Sequence, residues 1–60
     1  MSRNEQRIVE LVEEAQGAYR DVYWLRERIN LTLSGVRQLA TKLDKRGFVE
    51  KLGDDLVWVR

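Results

Sequence analysis

The sequence predicts an α+β domain: three helices followed by a C-terminal β-hairpin. Three observations carry this. Apolar residues recur at helical spacing in three successive blocks. A capping residue, Ser2, Asp21 or Thr32, opens each block. The final stretch, 48–60, holds two β-rich runs around a turn at Gly53.

The first helix is expected over 3–16. Ser2 followed by Glu5 is a capping-box pair. Ile8, Leu11, Val12 and Ala15 form one apolar stripe, with Val9 the one apolar residue off it. Gly17 suits the left-handed conformation that closes a helix. Ala18–Arg20 is an extended connector that offers a third strand. The second helix is expected over 22–29, with Val22, Leu25 and Ile29 inward. Asn30 is expected to leave it with positive φ, and Leu31 to plug the core. The third helix, expected over 33–46, turns Val36, Leu39, Ala40 and Leu43 inward, and Gly47 closes it. Strands are expected at 48–52 and 56–60, joined by a three-residue turn, Gly53-Asp54-Asp55. Val49 and at least one of Val57 and Val59 complete the expected core.

Composition narrows the function. The chain has 60 residues and reads as one domain, 1–60. It contains no Cys, Pro or His. Disulfides, thiolate or imidazole metal sites and the usual neutral-pH general base are therefore excluded. There is no glycine-rich phosphate loop, and Glu13 and Glu14 diverge on a helix instead of pairing. No enzyme activity and no cofactor are expected. No apolar run approaches the ~18 residues of a membrane helix, and no signal-peptide profile is present. A cytoplasmic or nucleoid-associated domain is the expectation.

The formal net charge of +1 conceals an uneven distribution. Residues 1–32 carry five Arg against six acids, a balance of −1. Residues 33–51 carry Arg37, Lys42, Lys45, Arg46 and Lys51 against Asp44 and Glu50, a balance of +3. Residues 52–60 return to −1, with Arg60 against Asp54 and Asp55. A local basic segment is a weak form of a nucleic-acid footprint, and a solvated helix face is its commoner origin.

The stretch from Leu31 to Val49 adds a motif. Two helices joined by a short turn, the second opened by a capping Thr, form a helix-turn-helix. Leu43, three polar residues, then Gly47-Phe48-Val49 turn the chain into the hairpin. This pattern resembles the winged-helix domains of MarR-like and related bacterial, archaeal and viral regulators, and the resemblance spans Glu5 to Val59. It implies double-stranded DNA as partner, with the third helix in the major groove, where base edges carry a readable donor and acceptor pattern.

The resemblance implies DNA contacts on the face opposite the apolar stripe. Ser34, Arg37, Gln38 and Thr41 lie there, within reach of base edges or phosphates. Arg matches guanine and Gln matches adenine in bidentate fashion. Gly35 would let the backbone approach DNA closely. Lys42, Lys45 and Arg46 lie nearer the phosphates, and Arg26 on the second helix is expected to extend outward to one.

Some residues depart from the family pattern. Asp54 and Asp55 stand at the wing tip, where DNA-reading wings carry Arg or Lys. Phosphates repel carboxylates, so these two are expected only to shape the turn. Leu33 is expected to meet water, a thymine methyl or a protein partner. Winged helices that bind left-handed DNA pair a wing Trp with Asn and Tyr on the third helix. Here Arg37 and Thr41 occupy those two positions, which disfavours that subfamily. Tyr19, Tyr23, Trp24 and Trp58 offer either a cover for one end of the core or a homodimer surface. The leading expectation is a sequence-specific DNA-binding regulator, possible as a homodimer. A protein-interaction adaptor is the alternative.

Overall fold

The computed structural model describes residues 1–59. Its order is α1 (Arg3–Glu14), β1 (Arg20–Asp21), α2 (Val22–Arg28), α3 (Leu33–Lys45), β2 (Val49–Leu52) and β3 (Asp55–Trp58). The strands form one antiparallel sheet in the order β1-β3-β2. This is the α+β layout of a winged helix-turn-helix, with β2 and β3 as the wing.

Side-chain caps start all three helices. The Ser2 hydroxyl accepts from the Glu5 amide at 3.2 Å, and the Glu5 carboxylate accepts from the Ser2 amide at 2.9 Å. Asp21 accepts from the Trp24 amide at 2.8 Å, and Thr32 from the Gly35 amide at 3.1 Å. Each cap satisfies an amide that has no partner inside its helix.

Helix ends differ from expectation by one or two residues. α1 stops at Glu14 instead of 16, because Gln16 takes φ 52° before Gly17 takes φ 97°. α2 stops at Arg28 instead of 29, since Ile29 is extended at φ −125°. Asn30 is not a positive-φ exit; the turn is made by the extended Ile29 and a bond from the Leu31 amide to the Ile29 carbonyl at 2.8 Å. α3 ends at Lys45 with Gly47 at φ 83°. The Phe48 amide bonds the Leu43 carbonyl and the Gly47 amide bonds the Asp44 carbonyl, both at 3.0 Å. That pair is a Schellman closure, which needs the left-handed residue glycine supplies.

The hairpin also corrects the expected register. Leu52 faces Asp55 directly, so the loop is the two residues Gly53-Asp54, not three. Gly53 at φ 63° supplies the positive φ that a two-residue hairpin loop needs at its first position. The third strand lies at Arg20–Asp21, where Arg20 pairs with Leu56 and Asp21 with Asp55.

The core joins every helix to the wing. Ile8, Leu11, Val12, Val22, Leu25, Ile29, Val36, Ala40, Leu43, Val49 and Leu56 are buried. Neither Val57 nor Val59 enters it. Opposite Val49 and Lys51 stand Trp58 and Leu56, so these two face inward and Val57 faces outward with Glu50. Leu31 is only partly buried, and Leu33, Leu39, Val9 and Trp24 also pack against the core from its edge. Leu33 is therefore not a free apolar tip.

Candidate nucleic-acid interface

Burial of Val36, Ala40 and Leu43 sets the roll of α3. With that face inward, Ser34, Gln38, Thr41, Lys42 and Lys45 are exposed together, as helical spacing requires. The Thr41 hydroxyl donates to the Arg37 carbonyl at 3.1 Å, which leaves its lone pairs outward. Among the described residues, no salt bridge engages Lys42 or Lys45. The exposed end of α3 is thus polar in its first turns and cationic toward its C-terminus.

Gly35 has a structural reason beside the expected one. A Cβ there would lie 3.3 Å from the Thr32 hydroxyl oxygen and 3.7 Å from the Leu31 Cβ. The missing side chain makes room for the α2–α3 turn and its cap.

Arg37 is less free than its neighbours. Its Nε donates to Asp54 Oδ1 at 3.1 Å and its Nη2 to Asp54 Oδ2 at 2.9 Å. Nη2 also lies 3.2 Å from the Tyr23 hydroxyl, as donor to it. One guanidinium therefore ties α3 to the wing turn and to α2. The Asp54 bonds hold the Arg37 pKa above its ordinary value. The Arg37 bonds hold the Asp54 carboxyl below its ordinary range, against partial desolvation. Asp54 does more than shape the turn, which corrects the expectation for the wing tip. It is not aimed at a phosphate; it is spent on the helix beside it.

The remaining cations divide. Arg46 lies 3.6 Å from a Glu5 carboxylate oxygen and over the Phe48 ring, so it links the α3 C-terminus to α1. The Ser2 backbone amide is the main influence holding the Glu5 carboxyl low, with Arg46 a smaller one. Arg26 points into solvent from α2, as expected. Arg28 stacks 3.7 Å from the Trp24 ring centroid and Arg20 lies 4.6 Å from it, so two guanidinium groups cover this Trp. Trp24 and Trp58 pack against the core, while Tyr19 and Tyr23 remain about half exposed. The aromatics thus do not form one bare patch.

Sequence reasoning missed a second basic area. Arg3, Arg7 and Arg28 line a hollow of ≈ 450 Å³ between α1 and the α2–α3 turn, with Glu10 3.8 Å from Arg7. Arg3 and Arg7 stand one helical turn apart, a signal that was available. The acidic residues elsewhere on α1 cancel them in any count by segment.

These elements define a winged helix-turn-helix with an open polar face on its third helix. Among solved structures, the solution structure of a DNA binding protein from Sulfolobus islandicus matches this chain with TM-score 0.80. The match covers 100% of this chain and 98% of that one, at 15% identity. At that identity the likeness is one of fold. No protein-family model matches the chain, and no curated protein matches it. No helix among the described residues is long and apolar enough to cross a membrane.

Proposed function

We propose that this chain binds double-stranded DNA sequence-specifically through α3, in the manner of a small MarR-like transcriptional regulator. The observation that carries the proposal is the exposed face of α3. Ser34, Gln38 and Thr41 project together from a capped helix whose other side is locked into the core. Lys42 and Lys45 extend that face with positive charge that no salt bridge engages among the described residues. The full-length fold match to a DNA binding protein supports the same reading. Base edges would meet the first turns of α3, and phosphates would meet Lys42, Lys45 and Arg26. The action is binding, with no catalytic step.

Titration of duplex DNA at several salt concentrations tests it. Affinity should fall with salt with a slope of about −0.9 per neutralised phosphate. Lys45→Ala should make that slope shallower by about one and weaken all sequences alike. An affinity weaker than about millimolar at low salt, far below the ordinary nonspecific range, would end the proposal.

A homodimer on two half-sites belongs to the same reading. A single module makes a small interface of roughly 600–1,000 Å², and two copies multiply affinity. Among the described residues, Tyr19 and Tyr23, with Leu52 and Val59, are the exposed large apolar side chains available for it outside the N-terminal Met1. Sedimentation equilibrium with and without duplex should show two chains per site; one chain on every duplex removes the dimer. The acidic wing tip favours one other reading, a protein-interaction adaptor with little DNA affinity. The same salt titration separates the two.

A further inference from the structure

The Arg37–Asp54–Tyr23 cluster is the most organised polar feature of the surface, and DNA binding as proposed does not explain it. A guanidinium has five N–H donors on three edges. Asp54 occupies the Nε/Nη2 edge in fork-to-fork fashion, the geometry that fixes a guanidinium plane. The Tyr23 hydroxyl accepts from Nη2, which leaves its own proton to donate. Both Nη1 donors have no partner among the described residues. Arg37 and Asp54 together carry no net charge, yet they present donors to solvent from the second turn of α3.

We infer that Asp54 is the specificity-determining positioning residue of this surface: it neutralises and orients Arg37 so that the guanidinium reads a guanine edge instead of gripping a phosphate. The inference rests on the DNA-binding reading above. An unpaired Arg is drawn to any phosphate, because attraction to a polyanion needs charge and little geometry. Pairing with a carboxylate removes that long-range attraction. Short-range directional donors remain. In the major groove, guanine offers two adjacent acceptors, N7 and O6, while adenine sets a donor beside its acceptor. The Nη1 donors of Arg37, with the Tyr23 hydroxyl proton beside them as the second donor, match the first and are repelled by the second. The acidic wing tip then has a direct role in recognition while remaining outside the groove.

Selection from a random duplex library, followed by affinity and salt-slope measurements on the selected site, tests this. The wild type should select a guanine at one position. Replacing that guanine by 7-deazaguanine, which lacks the N7 acceptor, should weaken it by about threefold or more. D54N frees the charge of Arg37 while keeping a good turn residue. It should bind nonspecific duplex more tightly and steepen the salt slope by about 0.9. It should also lose the guanine preference and the 7-deazaguanine penalty. R37K keeps the charge but lacks the fork, so it should lose the preference without unfolding the wing. Should D54N melt early, R37K and Y23F carry the comparison, Y23F with a reduced preference. A D54N protein that keeps the parent's slope and guanine preference overturns the inference while DNA binding stands. So does an R37K protein that keeps the preference. A wild type that binds no duplex overturns both.

Discussion

Asp54 accepts two charged hydrogen bonds from Arg37, and Glu5 accepts from the Ser2 amide beside Arg46. Both carboxyls sit below their ordinary range, so their pKa values are lower folded than unfolded. The contribution of such a group is complete above its unfolded pKa and is lost as pH falls through the folded one. Melting temperature should therefore be flat near neutrality and drop in the acid range. Melting curves followed by circular dichroism between neutral pH and about pH 2 check this, since the lower end lies below both carboxylates' ordinary range. D54N and E5Q should each flatten the drop, and an unchanged acid profile in both would remove these carboxylates from the account. Arg37→Ala should lower affinity for a preferred site by about tenfold or more, and should weaken nonspecific binding less, through the Asp54 carboxylate it leaves unpaired, measured on matched duplexes. Arg37 was legible in the sequence as a cation on the outer face of α3. Its partner was not, because Asp54 lies 17 positions away and no periodicity relates the two.

The elements depend on their ends. α2 has only 7 residues, too few for a helix to persist in isolation, so its Asp21 cap and its packing hold it. Thr32→Ala should cost about 0.5–2 kcal/mol, because it removes the acceptor for the Gly35 amide. Gly47→Ala should cost about 1–2 kcal/mol, since a Cβ disfavours the left-handed turn after α3. Urea denaturation of both variants checks these values. Helix starts were readable in the sequence because Ser2, Asp21 and Thr32 act on amides three residues away. The end of α1 was less readable, since Gln16 carries no side-chain signal for positive φ.

Among the described residues, 11 buried apolar side chains from the three helices, the α2 C-cap Ile29 and the two wing strands make one core. A domain of this length buries only about 60% of its unfolded surface, so each large side chain matters. Leu43→Ala should cost about 2–5 kcal/mol, enough to unfold much of the protein. Leu56→Ala should be comparably severe, whereas Val59→Ala should change stability by less than about 0.5 kcal/mol. Thermal melts of the three variants would expose a wrong wing face at once, because the order of Leu56 and Val59 would reverse. Helix spans, caps, the inward stripe of each helix and the presence of a hairpin were all set by residues a few positions apart, so local pattern sufficed for them. The same holds for the outward face of α3, which follows once its stripe is buried. The face of β3 was different. Leu56-Val57-Trp58-Val59 is apolar throughout, so alternation gives no phase, and pairing with β2 chose Leu56. The Arg37–Asp54–Tyr23 cluster and the arginine-lined hollow arose likewise from the way distant segments meet. Such meetings are fixed by sheet register and helix packing, which depend on the whole chain at once.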